Sequence, residues 1–243
     1  MQLDIYLKTP APLFSFEPAD FEPLVKDLPE TKLVFHESEA AMLKALPNIE
    51  YLDTWFFESA WYQRADQLRQ IYTPAAGKNF VKTHPEVPVS FGKFHGPLMA
   101  ETTLGLILNF NLRLVDFKTQ QSDHIWQRLP LQRLHGQTAL ILGLGSIGAA
   151  CGQLLGKLGM HVVGTRRQPT ANFDGGVQII SIEDLPEFLP KADHVISFLP
   201  GTDATTHFVS SEFLQHMSPN AFNNTLCFYT LWFYSRRKSP KLV

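Results

Sequence analysis

The chain has 243 residues, longer than one typical domain of about 100–150 residues and long enough for two. Its formal charge of -2 lacks the basic excess of a polyanion-binding surface, and no apolar run approaches the roughly 18–20 residues that span a bilayer. Neither nucleic acid nor a membrane is therefore expected as a partner.

Residues 3–7 read as a strand, 22–28 as part of a helix, 32–35 as a second strand, 37–46 as a helix and 49–52 as a third strand. Residues 68–72 and 87–91 look like further strands, with Pro, Gly and Asn punctuating the loops between them. Strands separated by helices imply a parallel sheet covered on both faces, so residues 1–95 are expected to form a small α/β domain. Gly96 and Pro97 suit a helix entrance. From 98 to about 115 the chain is apolar nearly all round, with Leu104, Leu106, Ile107, Leu108, Phe110, Leu112 and Leu114. Such a helix is expected to be buried on several sides, between domains or against a second copy. Residues 120–134, polar and irregular around Trp126 and Pro130, read as the end of a 96–134 connection into a second domain.

That domain, 135–222, opens on a strand at 138–142, a helix at 147–158 and a strand at 161–165. Strands follow at 177–180 and 194–199, separated by Ser181 and Asp184, which resemble a capping box. A helix around 211–216 leads toward a fifth strand.

Between the first strand and its helix stand Gly143, Leu144, Gly145, Ser146, Ile147 and Gly148, a G-x-G-x-x-G. The first glycine permits the tight turn, the second lets a pyrophosphate approach the backbone, and the third lets helix and strand pack closely. The amides at the helix start, with the positive end of its dipole, then hold the phosphates. A lone glycine pattern is weak, but here a strand precedes it, a helix follows, and a second strand ends about 20 residues on. An acid at that strand end would accept bonds from the adenosine ribose; this chain has Thr165, Arg166, Arg167 and Gln168, with no acid before Asp174. A guanidinium grips a 2′-phosphate that a carboxylate repels, so NADP(H) is expected over NAD(H). The alternative is a pair of solvated surface arginines.

Leu140-Ile-Leu-Gly-Leu-Gly-Ser-Ile-Gly148, Gly159-Met-His-Val-Val163 and the stretch from Lys191 to Thr205 resemble the cofactor domain of the D-isomer-specific 2-hydroxyacid dehydrogenases. Ala100, Glu101 and Leu104 resemble the start of that family's long interdomain helix, and the likeness runs from about residue 68 to 222. It implies a Rossmann-type domain joined by that helix to a smaller flavodoxin-like α/β domain. It also implies that Leu199 and Pro200 border the cofactor, that Thr202 and Thr205 shape the following turn, and that Ala76 and Gly77 face the substrate carboxylate. The arginine at 166 is shared with glyoxylate and hydroxypyruvate reductases within the family. The implied reaction is reduction of a small 2-oxo acid to the D-2-hydroxy acid, in a homodimer.

The resemblance breaks after Phe222. The family continues through a fifth strand to an Asn-x-x-Arg-Gly segment, whose arginine holds the substrate, and then to a glutamate and a histidine that form the acid–base pair. Here Asn223, Asn224, Thr225, Leu226 and Cys227 stand where the strand should run, no acid follows Glu212, and no histidine follows His216. No catalytic residue is assigned. Arg236, without a following glycine, does not fit the missing arginine, and His95 and His194 read better as a helix-entry and a core-strand residue than as substitute bases. Residues 223–243 are expected to be a non-family tail, from a frameshift or premature stop or else a divergent terminus. The cofactor sheet is then expected to lack its last strands, with marginal stability and little or no turnover. Two other readings are a non-catalytic nucleotide-sensing module and a non-functional product. Cys151 and Cys227 make no disulfide framework or metal spacing, and no signal peptide precedes residue 10, so a cytoplasmic protein without a metal is expected.

Overall fold

The computed structural model describes residues 1–10, 15–77, 79–167, 173–219, 221–227 and 230–235. The chain divides into two compact units, Met1–Lys93 and Phe94–Val243.

In the first unit β1 (Gln2–Tyr6), α1 (Glu22–Asp27), β2 (Lys32–Phe35), α2 (Glu39–Ala45), β3 (Tyr51–Thr54), β4 (Gln70–Thr73) and β5 (Val89–Phe91) follow in order. The five strands form one sheet in the order β2-β1-β3-β4-β5, every pair parallel. This is a flavodoxin-like order, as the family resemblance implied. Strand alternation sends Leu3, Ile5 and Leu7 into one apolar cluster with Trp55, and Tyr6 and Leu52 into another with Met42, Leu46 and Ile71. Ser38 starts α2 by accepting the Ala41 amide at 3.2 Å. Two strands begin later than the apolar runs suggest. Leu68 and Arg69 are engaged as a turn, their amides donating to Ala65 and Glu50, and Val87 bridges to His84 instead of joining β5.

The second unit begins with α3 (His95–Asn111) and α4 (Leu114–Ser122). The single helix to residue 115 is thus two. Arg113 takes a left-handed conformation at φ 53, and its Nε pairs with Asp116 at 2.8 Å to close the first turn of α4. No glycine or proline marks the break, so neighbouring apolar residues read through it. α3 buries one stripe, Gly96, Ala100, Thr103, Ile107 and Asn111, and packs on the helix Ser146–Lys157.

Next come β6 (Thr138–Leu142), α5 (Ser146–Lys157), β7 (His161–Thr165), β8 (Phe173–Asp174), β9 (Val177–Ile180), α6 (Leu185–Phe188), β10 (His194–Ser197), α7 (Ser211–His216), β11 (Phe222–Cys227) and β12 (Thr230–Ser235). The sheet order is β12-β11-β10-β6-β7-β9-β8, in which β9-β7-β6-β10-β11 is the parallel 3-2-1-4-5 arrangement of a Rossmann half. β6 is a continuous apolar run because both its faces are covered. Ala139 and Ile141 meet Cys151 and Leu155 on one side, and Leu140 and Leu142 meet Leu185 and Leu189 on the other. Ser181 and Asp184 form the expected reciprocal bonds, the Ser181 hydroxyl donating to the Asp184 carboxylate at 2.9 Å.

The expectation of missing strands is corrected for the fifth strand, which is present. β11 pairs parallel with β10, Phe222 against His194 and Thr225 against Ser197, and β12 returns antiparallel along β11. The segment satisfies the backbone requirement of a strand, because sheet pairing needs amides and carbonyls in register rather than particular side chains.

Candidate functional site

β6 lies at the point where strand order reverses, with β7 on one side and β10 on the other. The loops leaving β6 and β10 therefore open a crevice at the carboxyl edge of the sheet, the usual ligand position in open α/β folds.

The turn from β6 to α5 is three residues long. Gly143 adopts φ +89, and a Cβ there would stand 3.1 Å from the Phe198 carbonyl oxygen and 3.3 Å from the Leu199 nitrogen. Both facts demand glycine. Gly148 is buried in the first turn of α5, where any Cβ would run into the Gly143 carbonyl. Gly145 is the exposed one, with nothing within 4 Å of its Cβ position. It caps α5 without a side-chain hydrogen bond, and the first turn carries no acid. Helix-start amides without a side-chain cap, beside open space and at the positive end of the dipole, fit the pyrophosphate of a dinucleotide. Ser146 is exposed and Ile147 half-buried over the same opening.

The end of β7 holds this turn. Thr165 is buried; its hydroxyl accepts the Gly143 amide at 3.1 Å, and its carbonyl accepts the Leu144 amide at 2.9 Å. Arg166 Nε donates to the Leu144 carbonyl at 3.2 Å, while its backbone amide donates to Ile180. Arg167 is exposed. The residues expected to read the nucleotide thus gather at one end of the sheet: the glycine turn, Arg166 and the half-buried Leu199. Pro200 is exposed on the same loop, and the Thr205 hydroxyl reaches the carbonyls of Pro200 and Thr202, so it secures its own turn. The sequence reading gave Thr165 a place at the cofactor but missed its bond to the turn. The available signal was a hydroxyl-bearing β-branched residue ending an otherwise apolar strand.

Ala76 and Gly77 lie half-buried in the first unit on the loop after β4, where the Ala75 carbonyl accepts the Gly92 amide. His194 is fully buried at the amino end of β10, the edge opposite the crevice. Its Nε2 meets Gln137 Oε1 at 3.0 Å, and desolvation, weakly opposed by Asp193, pushes its pKa down to about 4. It stays neutral and is no base for the crevice. His95 is buried at the first residue of α3, its ring 4.1 Å from that of Phe94. Burial raises the Cys151 thiol to about 12, which leaves it inert. Arg236 lies outside the described residues. Among the described residues no group of His, Cys, Asp or Glu could hold a metal ion, and no helix is long and apolar enough to cross a membrane.

A glycine turn at the switch point of a 3-2-1-4-5 sheet defines a dinucleotide-binding α/β protein. The NAD binding domain of the D-isomer specific 2-hydroxyacid dehydrogenases matches residues 104–225, half of the chain, and the chain belongs to that family. Glyoxylate/hydroxypyruvate reductase A of Yersinia enterocolitica is 27% identical over 124 residues, 51% of this chain and 39% of that protein. The chain thus matches about two fifths of that relative's length. A D-isomer specific 2-hydroxyacid dehydrogenase family protein of Aeromonas salmonicida superposes with a TM-score of 0.72 at 26% identity, over 92% of this chain and 72% of that one. The enzyme of Xanthobacter autotrophicus Py2, solved with NADPH and MES, has the same fold, with a TM-score of 0.78 at 23% identity over 92% of this chain and 71% of that one.

Proposed function

We propose that this chain binds NADP(H) in preference to NAD(H), with the pyrophosphate on the turn from Gly143 to Gly148 and the 2′-phosphate at Arg166 and Arg167. The observation that carries this reading is the Arg166 Nε bond to the Leu144 carbonyl, which ties a guanidinium to the phosphate turn where an acid would otherwise meet the ribose. NADPH in the Xanthobacter relative indicates that the fold admits the larger nucleotide. Leu199 and Pro200 flank the nucleotide from the β10 loop, and Thr205 keeps that loop closed. The reaction class is reduction of a small 2-oxo acid, such as glyoxylate or hydroxypyruvate, to a D-2-hydroxy acid, with the carboxylate taken by the loop of Ala76 and Gly77.

The bound dinucleotide supplies the hydride; the protein's part is to orient it, exclude water and provide a proton. His95 and His194 are buried at the start of α3 and at the far edge of the sheet. We therefore assign no acid–base residue of the crevice among the described residues. Exposed apolar side chains on α4 and the segment after it, Val115, Ile125 and Trp126, support a homodimer.

Calorimetric titration of the purified chain with NADPH and with NADH tests the reading. Micromolar or tighter NADPH binding with at least tenfold weaker NADH binding is expected. Equal affinities would remove the role given to Arg166, and no heat with either would remove the site.

A further inference from the structure

Two adjacent residues of the glycine turn are fastened to two adjacent residues at the end of β7. The Gly143 amide donates to the Thr165 hydroxyl at 3.1 Å. The Leu144 amide donates to the Thr165 carbonyl at 2.9 Å. The Leu144 carbonyl accepts Arg166 Nε at 3.2 Å. Leu144 is thus held through both of its peptide groups, and its side chain fills the space left by Gly164, where a Cβ would sit 2.7 Å from its Cδ1. Of these bonds, the one to the Thr165 hydroxyl can be removed without altering the glycine turn or Arg166 themselves, and Thr165 is 3% exposed.

We propose that Thr165 is a positioning residue that couples the phosphate turn to the 2′-phosphate reader, acting through hydrogen bonds rather than by touching the nucleotide. The inference rests on the reading that this turn holds NADP(H). The hydroxyl fixes the Gly143 amide while that residue sits at φ +89, a conformation glycine permits but does not enforce. With Gly143 fixed, the next peptide directs the Leu144 carbonyl at Arg166, which leaves the guanidinium pre-oriented. Removing the hydroxyl leaves the half-buried Gly143 amide without that acceptor. Thr165→Val keeps the shape and the strand preference but loses the acceptor, whereas Thr165→Ser keeps it.

The effect expected of Thr165→Val is about a three- to tenfold loss of affinity for both nucleotides, the usual range for one hydrogen bond. NADPH should lose more than NADH because the Arg166 anchor moves with the turn, so the NADPH/NADH affinity ratio also falls. Thr165→Ser should restore both affinity and ratio. A double-mutant cycle with Arg166→Gln should show the two residues non-additive for NADPH and additive for NADH.

The experiment is calorimetric titration of the full chain and these variants with each nucleotide, alongside thermal melting. If the parent chain binds neither nucleotide, the reading of the site fails and not the coupling. If the parent prefers NADPH and Thr165→Val binds both nucleotides as the parent does, the coupling is overturned. It is also overturned if affinity falls with the ratio unchanged, or if Thr165→Ser does not rescue. Thr165→Ala serves as a second hydroxyl-free variant; if neither hydroxyl-free variant folds while Thr165→Ser does, the residue is a fold element and the proposal fails.

Discussion

The rings of Phe110 and Phe222 stack with centroids 4.2 Å apart and planes 15° from parallel, and His194 stands edge-on to both. Phe110, in the last turn of α3, is therefore packed on the first residue of β11, within the stretch that matches the family's NAD binding domain. Phe222 is 7% exposed. Phe222→Ala should cost about 3–5 kcal/mol, the range for emptying an aromatic core site. Urea unfolding reads this directly. A loss below about 1 kcal/mol would mean that β11 is not seated on α3.

A second prediction concerns acid. The folded-state pKa of His194 is about 4, against 6.5 for the solvent-exposed group, because burial disfavours the charged ring. Between those values the unfolded chain binds a proton that the folded chain refuses, so stability is full above about pH 6.5 and falls as pH drops toward 4. The loss from this group approaches about 3 kcal/mol at the bottom of the window. His194→Gln should flatten the profile of the second unit between pH 6.5 and 4, measured by urea midpoints at stepped pH. An unchanged slope would place the acid sensitivity elsewhere.

The first unit carries an opposite slope. Asp53 on β3 has an oxygen, Oδ1, without a hydrogen-bond partner among the described residues, and desolvation raises its pKa from 3.8 to about 6. The folded form holds a proton that the unfolded form releases, so this contribution to stability is present below about pH 4 and is lost as pH rises through 6. Asp53→Asn should stabilise the first unit at pH 7 and leave little gain at pH 4. Equal effects at both pH values would show that the carboxyl does not titrate in this range.

Much of this architecture was legible because parallel sheets write themselves into sequence as short apolar runs between helices, and β6 with its glycine turn is the clearest case. The break at Arg113 was not legible, since a left-handed arginine stabilised by Asp116 has no compositional mark. β11 was expected as a fifth strand and then doubted, and β12 was missed, for a different reason. Their pairing is carried by backbone hydrogen bonds, whereas the reading relied on side-chain motifs that end at Phe222. In the site, the glycines and Arg166 were visible from spacing, but the Thr165 bond to Gly143 joins residues 22 apart and depends on the register of β6 and β7.

The second and third glycines of the motif should separate folding from binding. At Gly148 a methyl group would meet the Gly143 carbonyl, and overpacking of this kind costs about 1–3 kcal/mol. Gly148→Ala should lower both the melting temperature and nucleotide affinity. At Gly145 a methyl group meets no protein atom within 4 Å, so Gly145→Ala should leave melting nearly unchanged while it intrudes on the phosphate seat. Paired melting and NADPH titration distinguish the two; if Gly145→Ala binds like the parent, the phosphate does not approach there.

Trp126 is 99% exposed, and Ile125 and Leu131 on the same segment are about half exposed. A tryptophan so placed makes almost no contribution to the fold of its own chain, and its apolar area is large enough to matter in association. If the proposed homodimer uses this segment, Trp126→Ser should weaken self-association about tenfold or more without lowering the melting temperature at high dilution. Sedimentation equilibrium over a concentration series gives the dissociation constant for each form. A parent chain that stays monomeric at tens of micromolar would overturn the dimer; a dimer indifferent to Trp126→Ser would keep it and move its interface away from this segment.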